Sequence, residues 1–325
     1  MSLAQMQVFN EYILPETIEA LGQLVDKFNA SSNGSIVLTT TGFDGDFLQE
    51  AFFQSVHSAK RRVNRYANQA VVNPVDLTAL KNSGVKIAGG FGPIRYEPSQ
   101  LSWLRVPTAR GIDVASRNFA EALLADQLNS AIAALRAAIV NQGAASTYDA
   151  VAGAMKYAVL NNAHAKFGDR SGDIVADVMN GASYHKLIGE NLSNSQVLFQ
   201  SRGVTVVDIL GKAIVVTDAP ALYEVLSGAN NSNLYALGLV EGAATVYDGS
   251  DIISNIQTVN GQTRIETTLQ LDYSFGLSLK GYTWDETNGG KSPSDAAIAT
   301  GTNWDKTATD IKNTAGVAAI ANADA

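Results

Sequence analysis

The chain contains no cysteine in 325 residues, which excludes disulfide staples, thiolate metal sites and cysteine nucleophiles. Histidine is almost as scarce. His57, His164 and His185 lie in unrelated segments without ligand spacing, so no zinc or metallohydrolase motif can be assembled locally, and they read as satisfied surface or helix histidines. Charge is sparse too: 17% of residues are charged, and 31 acidic against 23 basic side chains leave a formal net charge of −8. Non-specific attraction to nucleic acid or to an anionic membrane is therefore not expected. The first twelve residues lack the basic start and apolar run of a signal peptide, so export is not expected, and sequons such as Asn191-Leu-Ser193 read as loop residues. The most apolar helical stretch, Ala131 to Val140, is interrupted by Arg136 and falls short of the ~20 residues of a membrane span.

What is present is apolar surface: 46% of residues are hydrophobic, enough to bury a substantial core in one elaborated domain or in two to three lobes. Pro15-Glu16 opens an amphipathic helix with Ile18, Leu21, Val25 and Phe28 on one face, ending near Asn29. A loop at residues 30–35, a β-prone run Ile36–Thr41 and a turn around Gly42–Asp46 follow. The next stretch, about sixty residues, reads as irregular and as a projecting element. Within it, Asp76–Leu80 suggests a short capped helix, Val85–Ala88 a strand, and Gly89-Gly-Phe-Gly-Pro93 a tight loop.

From about Asp113 to Gln142, Phe119, Leu123, Leu128, Ile132, Leu135 and Ile139 form one stripe with alanine filling the gaps. The pattern predicts the longest helix, roughly 40 Å at ~1.5 Å per residue. Full burial of those six side chains is worth on the order of 10 kcal/mol as an upper figure, against about 0–1 kcal/mol for a surface ion pair, so packing decides where the helix lies. Between Asp169 and Asp218 shorter signals alternate: a strand Ile174–Met179, a helix carrying Tyr184, Leu187, Ile188 and Leu192, then β-prone Val204–Val207 and Ile214–Val216. They predict a small α/β lobe.

Asn260-Gly261 is the strongest hairpin signal, with β-prone Ile252–Val259 before it. After it, Ile265, Thr267, Leu269, Leu271, Tyr273, Phe275, Leu277 and Leu279 alternate with Glu266, Gln270, Asp272, Ser274, Ser278 and Lys280. A strand of that length reaches roughly 50 Å, and the long helix is its expected partner unless Gly276 breaks it. Near the end, Ser292-Pro-Ser-Asp295 predicts a helix capped by Ser292 and running to about Ala299.

Tests for chemistry return little. No Walker-type phosphate loop occurs, and Gly89–Pro93 lacks the third glycine and following helix of a dinucleotide fingerprint. Gly181-Ala-Ser-Tyr-His185 comes near a nucleophile elbow, but His185 stands where a glycine is needed, so Ser183 reads as a helix cap. Asp44-Gly-Asp46 starts like a calcium loop without the later ligands. Lys60, Arg61, Arg62 and Arg65 form the one basic cluster, suited to a neighbouring subunit's acidic surface, to nucleic acid, or to a solvated face.

The order of elements resembles the major capsid proteins of tailed bacteriophages with the Hong Kong 97-like fold. The resemblance is carried by Leu77-Thr78, Val85-Lys-Ile87, Gly92-Pro93, Trp103, the long helix, Asp177–Leu187, Leu210-Gly211, Ile214–Asp218, Ser292-Pro293, Asn303-Trp304 and Gly316-Val317. Each piece is weak alone, and the series spans most of the chain. It implies an α+β chain with an N-terminal arm and helix at residues 1–34, an extended loop at 35–105, and a peripheral lobe with a spine helix at 106–168. An axial lobe at 169–250 follows, then long strands and a tail at 251–325. It implies self-assembly into pentamers and hexamers of an icosahedral shell around double-stranded DNA, without specific DNA binding, in a virion assembled in the host cytoplasm. Scaffolding, portal and cementing proteins are the expected partners, with no membrane, cofactor, metal or catalytic residue. An encapsulin-like nanocompartment is the alternative, followed by a hydrolase using Ser183 and His185 or a surface-layer protein.

Overall fold

A computed structural model describes residues 15–325 apart from 24, 27, 30–31, 43–44, 54–61, 69–73, 75–78, 97–107, 151–152, 194–211, 226–231, 250 and 261–264. The described residues between 15 and 29 form an amphipathic helix, α1, whose Val25 is buried while Ile18 is half exposed. Strands β1 (Ile36–Gly42), β2 (Phe47–Phe53) and β3 (Ala79–Tyr96) follow. The long helix is α2 (Thr108–Val140), succeeded by β4 (Thr147–Asp149), α3 (Tyr157–His164), β5 (Ile174–Met179) and α4 (Gly181–Ser193). Next come β6 (Ala213–Val216), β7 (Tyr223–Val225), β8 (Ser232–Val240), β9 (Ala244–Asp248), β10 (Ile253–Asn260) and β11 (Ile265–Leu279). The chain closes with β12 (Tyr282–Trp284), α5 (Asp295–Ile298), β13 (Trp304–Lys306) and β14 (Gly316–Asn322).

Among the described residues the strands sort into two six-stranded sheets and a ribbon. One sheet runs β1-β9-β11-β3-β2, with β10 also pairing to β11; the other runs β4-β14-β8-β5-β6, with β7 also pairing to β8; β12 and β13 form the ribbon. Alternation explains β11 well: Leu269, Leu271, Tyr273, Phe275, Leu277 and Leu279 are buried, whereas Gln270 and Asp272 face solvent. In the second sheet, β5, α4 and β6 make a parallel crossover unit, and β8 and β14 run antiparallel beside each other. The predicted alternation at residues 169–218 is thus one edge of a larger sheet. The β-prone run 204–207, like Asp76–Thr78, lies outside the described residues.

The structure corrects several local expectations. Residues 79–96 form one 18-residue strand, not a short helix, short strand and tight loop in series. Ala79 and Leu80 pair with Phe53 and Phe52 of β2, and Gly89 to Phe91 pair with Tyr273 to Leu271 of β11. The glycines are there because β11 crowds them: a Cβ on Gly89 would stand 2.9 Å from the Tyr273 ring, and one on Gly90 would stand 2.6 Å from Asp272 Oδ1. Gly92, at φ +108°, and Pro93 sit where the ladder shifts register between Leu269 and Leu271, so turn-type residues mark a bulge inside a strand.

Two caps also differ. Ser294, not Ser292, caps α5, its side chain accepting from the Ala297 N–H at 3.3 Å. Asn180, not Ser183, caps α4, with Oδ1 accepting from the Ser183 N–H at 2.8 Å. The β10–β11 ladder ends at Asn260 opposite Ile265, and Gly261 of the expected two-residue turn lies outside the described residues. Finally, β1 pairs with β9 in parallel, so residues 36–42 belong to the first sheet and are not part of a projecting loop.

Candidate functional site

The candidate site is the packed spine together with the surfaces it leaves open. On α2, Leu123, Ile132, Leu135 and Ile139 are buried, while Phe119 and Leu128 are partly buried. The helix meets β11 near its middle: Tyr273 Oη donates to Asp126 Oδ2 at 2.6 Å, and Phe91 of β3 lies 6.5 Å from Phe119 and 5.4 Å from Tyr273 between ring centroids. Burial and the Asp126 carboxylate both push the Tyr273 phenol well above its ordinary range. The C-terminal half packs elsewhere, against Pro220–Leu222, Gly301–Asn303 and β14. There, Arg136 lies 4.0 Å above the Tyr235 ring and pairs with Glu224, which also accepts from the Tyr235 hydroxyl. The strand therefore shares the helix with several other elements.

By length and composition, Ser116–Val140 is apolar enough to cross a membrane, which extends the shorter stretch read from the sequence. In the fold 56% of its most apolar 18 residues are buried, and core burial calls for the same composition.

The residues weighed for chemistry do not converge. Ser183 is fully buried in the first turn of α4, and its Oγ has no hydrogen-bond partner among the described residues, whereas His185 is exposed. Two residues apart on a helix, they point in different directions. Among the described residues no cluster of three or more His, Asp or Glu could hold a metal. Asp46 pairs with Lys291 at 3.2 Å, and Asp44 and His57 lie outside the described residues. Of the basic cluster, Arg62 and Arg65 are exposed, while Lys60 and Arg61 lie outside the described residues.

One buried polar pair escaped the sequence reading. His164 Nε2 and Asp177 Oδ1 are 2.8 Å apart, with side chains 6% and 2% exposed. Gly238 of β8 makes the space, since a Cβ there would stand 2.9 Å from His164 Nε2. No local motif joins these three positions. Only the β5–β8 ladder, which sets Asp177 opposite Gly238, brings them together.

This architecture is that of phage shell subunits. The chain is similar to the cyanophage Pam1 capsid asymmetric unit, with a TM-score of 0.52, 10% identity, and 75% of this chain and 84% of that one covered. It is similar to structures from Mycobacterium phage Cain (TM-score 0.52, 11% identity, 88% and 87% covered) and Mycobacterium phage Adephagia (0.51, 11%, 88% and 87%). At these identities the likeness is one of fold, the Hong Kong 97-like fold of tailed-phage capsids. The family model for Gp13-like proteins, major capsid protein 13-like, matches residues 5–318, and the chain belongs to that family. No curated protein sequence matches it. It is a major capsid protein of a tailed phage, built into the virion shell from copies of itself. These findings favour a phage head over an encapsulin-like compartment.

Proposed function

We propose that copies of this chain associate through heterologous contacts into pentamers and hexamers, which close into an icosahedral head around double-stranded DNA. The family match over residues 5–318 carries the reading. In this reading, residues 106–168 and the long strands of 251–325 form a peripheral lobe with α2 as its spine, and residues 169–250 supply most of an axial lobe. Residues 1–34 act as an arm, and the part of 35–105 outside β1 and β3 reaches over a neighbour. Function resides in interfaces, and the chain performs no catalysis.

The charge balance supports a passive container. A net charge of −8 opposes tight phosphate binding, which leaves enclosed duplex mobile enough to be packed and released. Scaffolding, portal and cementing proteins complete the head. Electron microscopy of the chain expressed with its phage neighbours tests this: closed polyhedral particles containing DNA are expected. Flat arrays, or particles filled with a protein cargo, would overturn it.

A further inference from the structure

The first sheet is staggered. β3 pairs with β2 over residues 79–85 and with β11 over 85–96, so β2 lies on one outer edge near one end. On the opposite side β1 ends the sheet, its edge covered at Leu38 by the Asn29 side chain, which donates to the Leu38 carbonyl and accepts from the Leu38 N–H, while β10 pairs with Asp272 to Ile265 of β11 near the other end and leaves its own edge open. Among the described residues no strand pairs with the outer edge of β2 or β10. The 18 residues of β3 extend roughly 60 Å at ~3.3 Å each, so the two open edges are widely separated.

β10 lacks the features that protect an edge. Its sequence, Ile-Ser-Asn-Ile-Gln-Thr-Val-Asn, carries no charge and no proline, and Ile253 and Val259 are 64% and 50% exposed. Isolated proteins blunt such an edge with lysine, proline or a covering segment, because bare backbone N–H and C=O groups recruit another strand. A chain built into a shell of its own copies has one partner available at every such edge. β2 is seven residues long against eight in β10, and its one charged residue is Glu50.

We propose that the outer edge of β10 in one subunit pairs with the outer edge of β2 in the next, making a sheet continuous between copies. The contact joins two different surfaces, so repetition generates a ring or filament and not a closed pair. The proposal rests on the shell reading and specifies which edges that shell joins.

The absence of cysteine makes the test direct. Chains carrying L48C or Q49C are co-assembled with chains carrying S254C, N255C or Q257C, and the particles are treated with a short bismaleimide cross-linker. These positions sample both faces of each strand. Cross-linked dimers containing one chain of each kind, formed when assembled particles are treated and not when already dissociated subunits are treated, are expected for at least one combination. Closed particles with no mixed dimer in any combination overturn the proposal while leaving the shell reading intact. Dimers between two chains that each carry Q257C would likewise overturn it, by showing that β10 pairs with itself. If the unsubstituted chain forms no closed particles, the shell reading itself fails.

Discussion

At the scale of single residues, the fold depends on places where one side chain occupies space that another must leave. Gly289 is among the tightest. A Cβ there would stand 2.2 Å from Trp284 Cζ2, and Trp284 is locked by its indole N–H donating to Gly290 O at 2.9 Å and by an edge contact with Trp304 at 4.8 Å. The indole cannot retreat, so G289A is expected to cost about 1–3 kcal/mol in urea unfolding, as overpacking does. An unchanged midpoint would show that the turn at 285–290 shifts freely. Tyr282, fully buried in the β12–β13 ribbon, makes a second case. Burial pushes its phenol up to about 12, and its hydroxyl has no hydrogen-bond partner among the described residues. The folded state then holds the proton more tightly than the unfolded chain, so stability is full below pH 10 and falls between about pH 10 and 12. Y282F is expected to leave neutral-pH stability within about 1 kcal/mol and to flatten that alkaline decline, read from melting temperatures across the range. A decline of equal steepness in the variant would assign it to other groups.

At the scale of elements, legibility followed the regularity of the physics. The limits of β11 were readable because large apolar residues alternate with small or polar ones along it, a period of two, although from Tyr273 to Leu279 both faces are buried, Ser274 and Ser278 included. The helix stripe was readable for the same reason at its own period, although α2 begins five residues earlier than Asp113, at Thr108. β3 was not readable, because its glycines serve the Tyr273 ring and Asp272 of another strand, a requirement set by tertiary contact and invisible locally. Likewise nothing in the sequence links His164 to Asp177 across Gly238. Within α2 the stripe still ranks positions. Leu135 is fully buried and Leu128 partly so, and L135A should cost about 2–5 kcal/mol, with L128A clearly less. Equal losses in thermal melts would mean that the helix sits differently on the sheets.

At the scale of the whole molecule, much of the candidate site was legible as a kind of protein and little of it as a set of contacts. The absence of convergent chemistry and the presence of two long elements pointed to a shell, but which surfaces meet depends on neighbours that one chain does not encode locally. The proposal that Arg62 and Arg65 meet an acidic neighbour makes its own prediction. R62A/R65A should assemble more slowly than the parent at low ionic strength, with a smaller effect of added salt on the rate, followed by light scattering. Identical rates and salt responses would place both arginines on a merely solvated face.

The second sheet has a further consequence, one of timing. β14, the last strand in chain order, is not an edge: it lies between β4 and β8, and Gly316 to Ala321 are all buried. Strands made as early as residues 147–149 must wait for residues 316–322 before the layer can close, a contact of long sequence separation that slows folding. A nascent chain emerging from the ribosome thus keeps this sheet open until nearly all of the described sequence has been synthesised. Chains not yet synthesised through β14 should therefore be unable to join a growing shell.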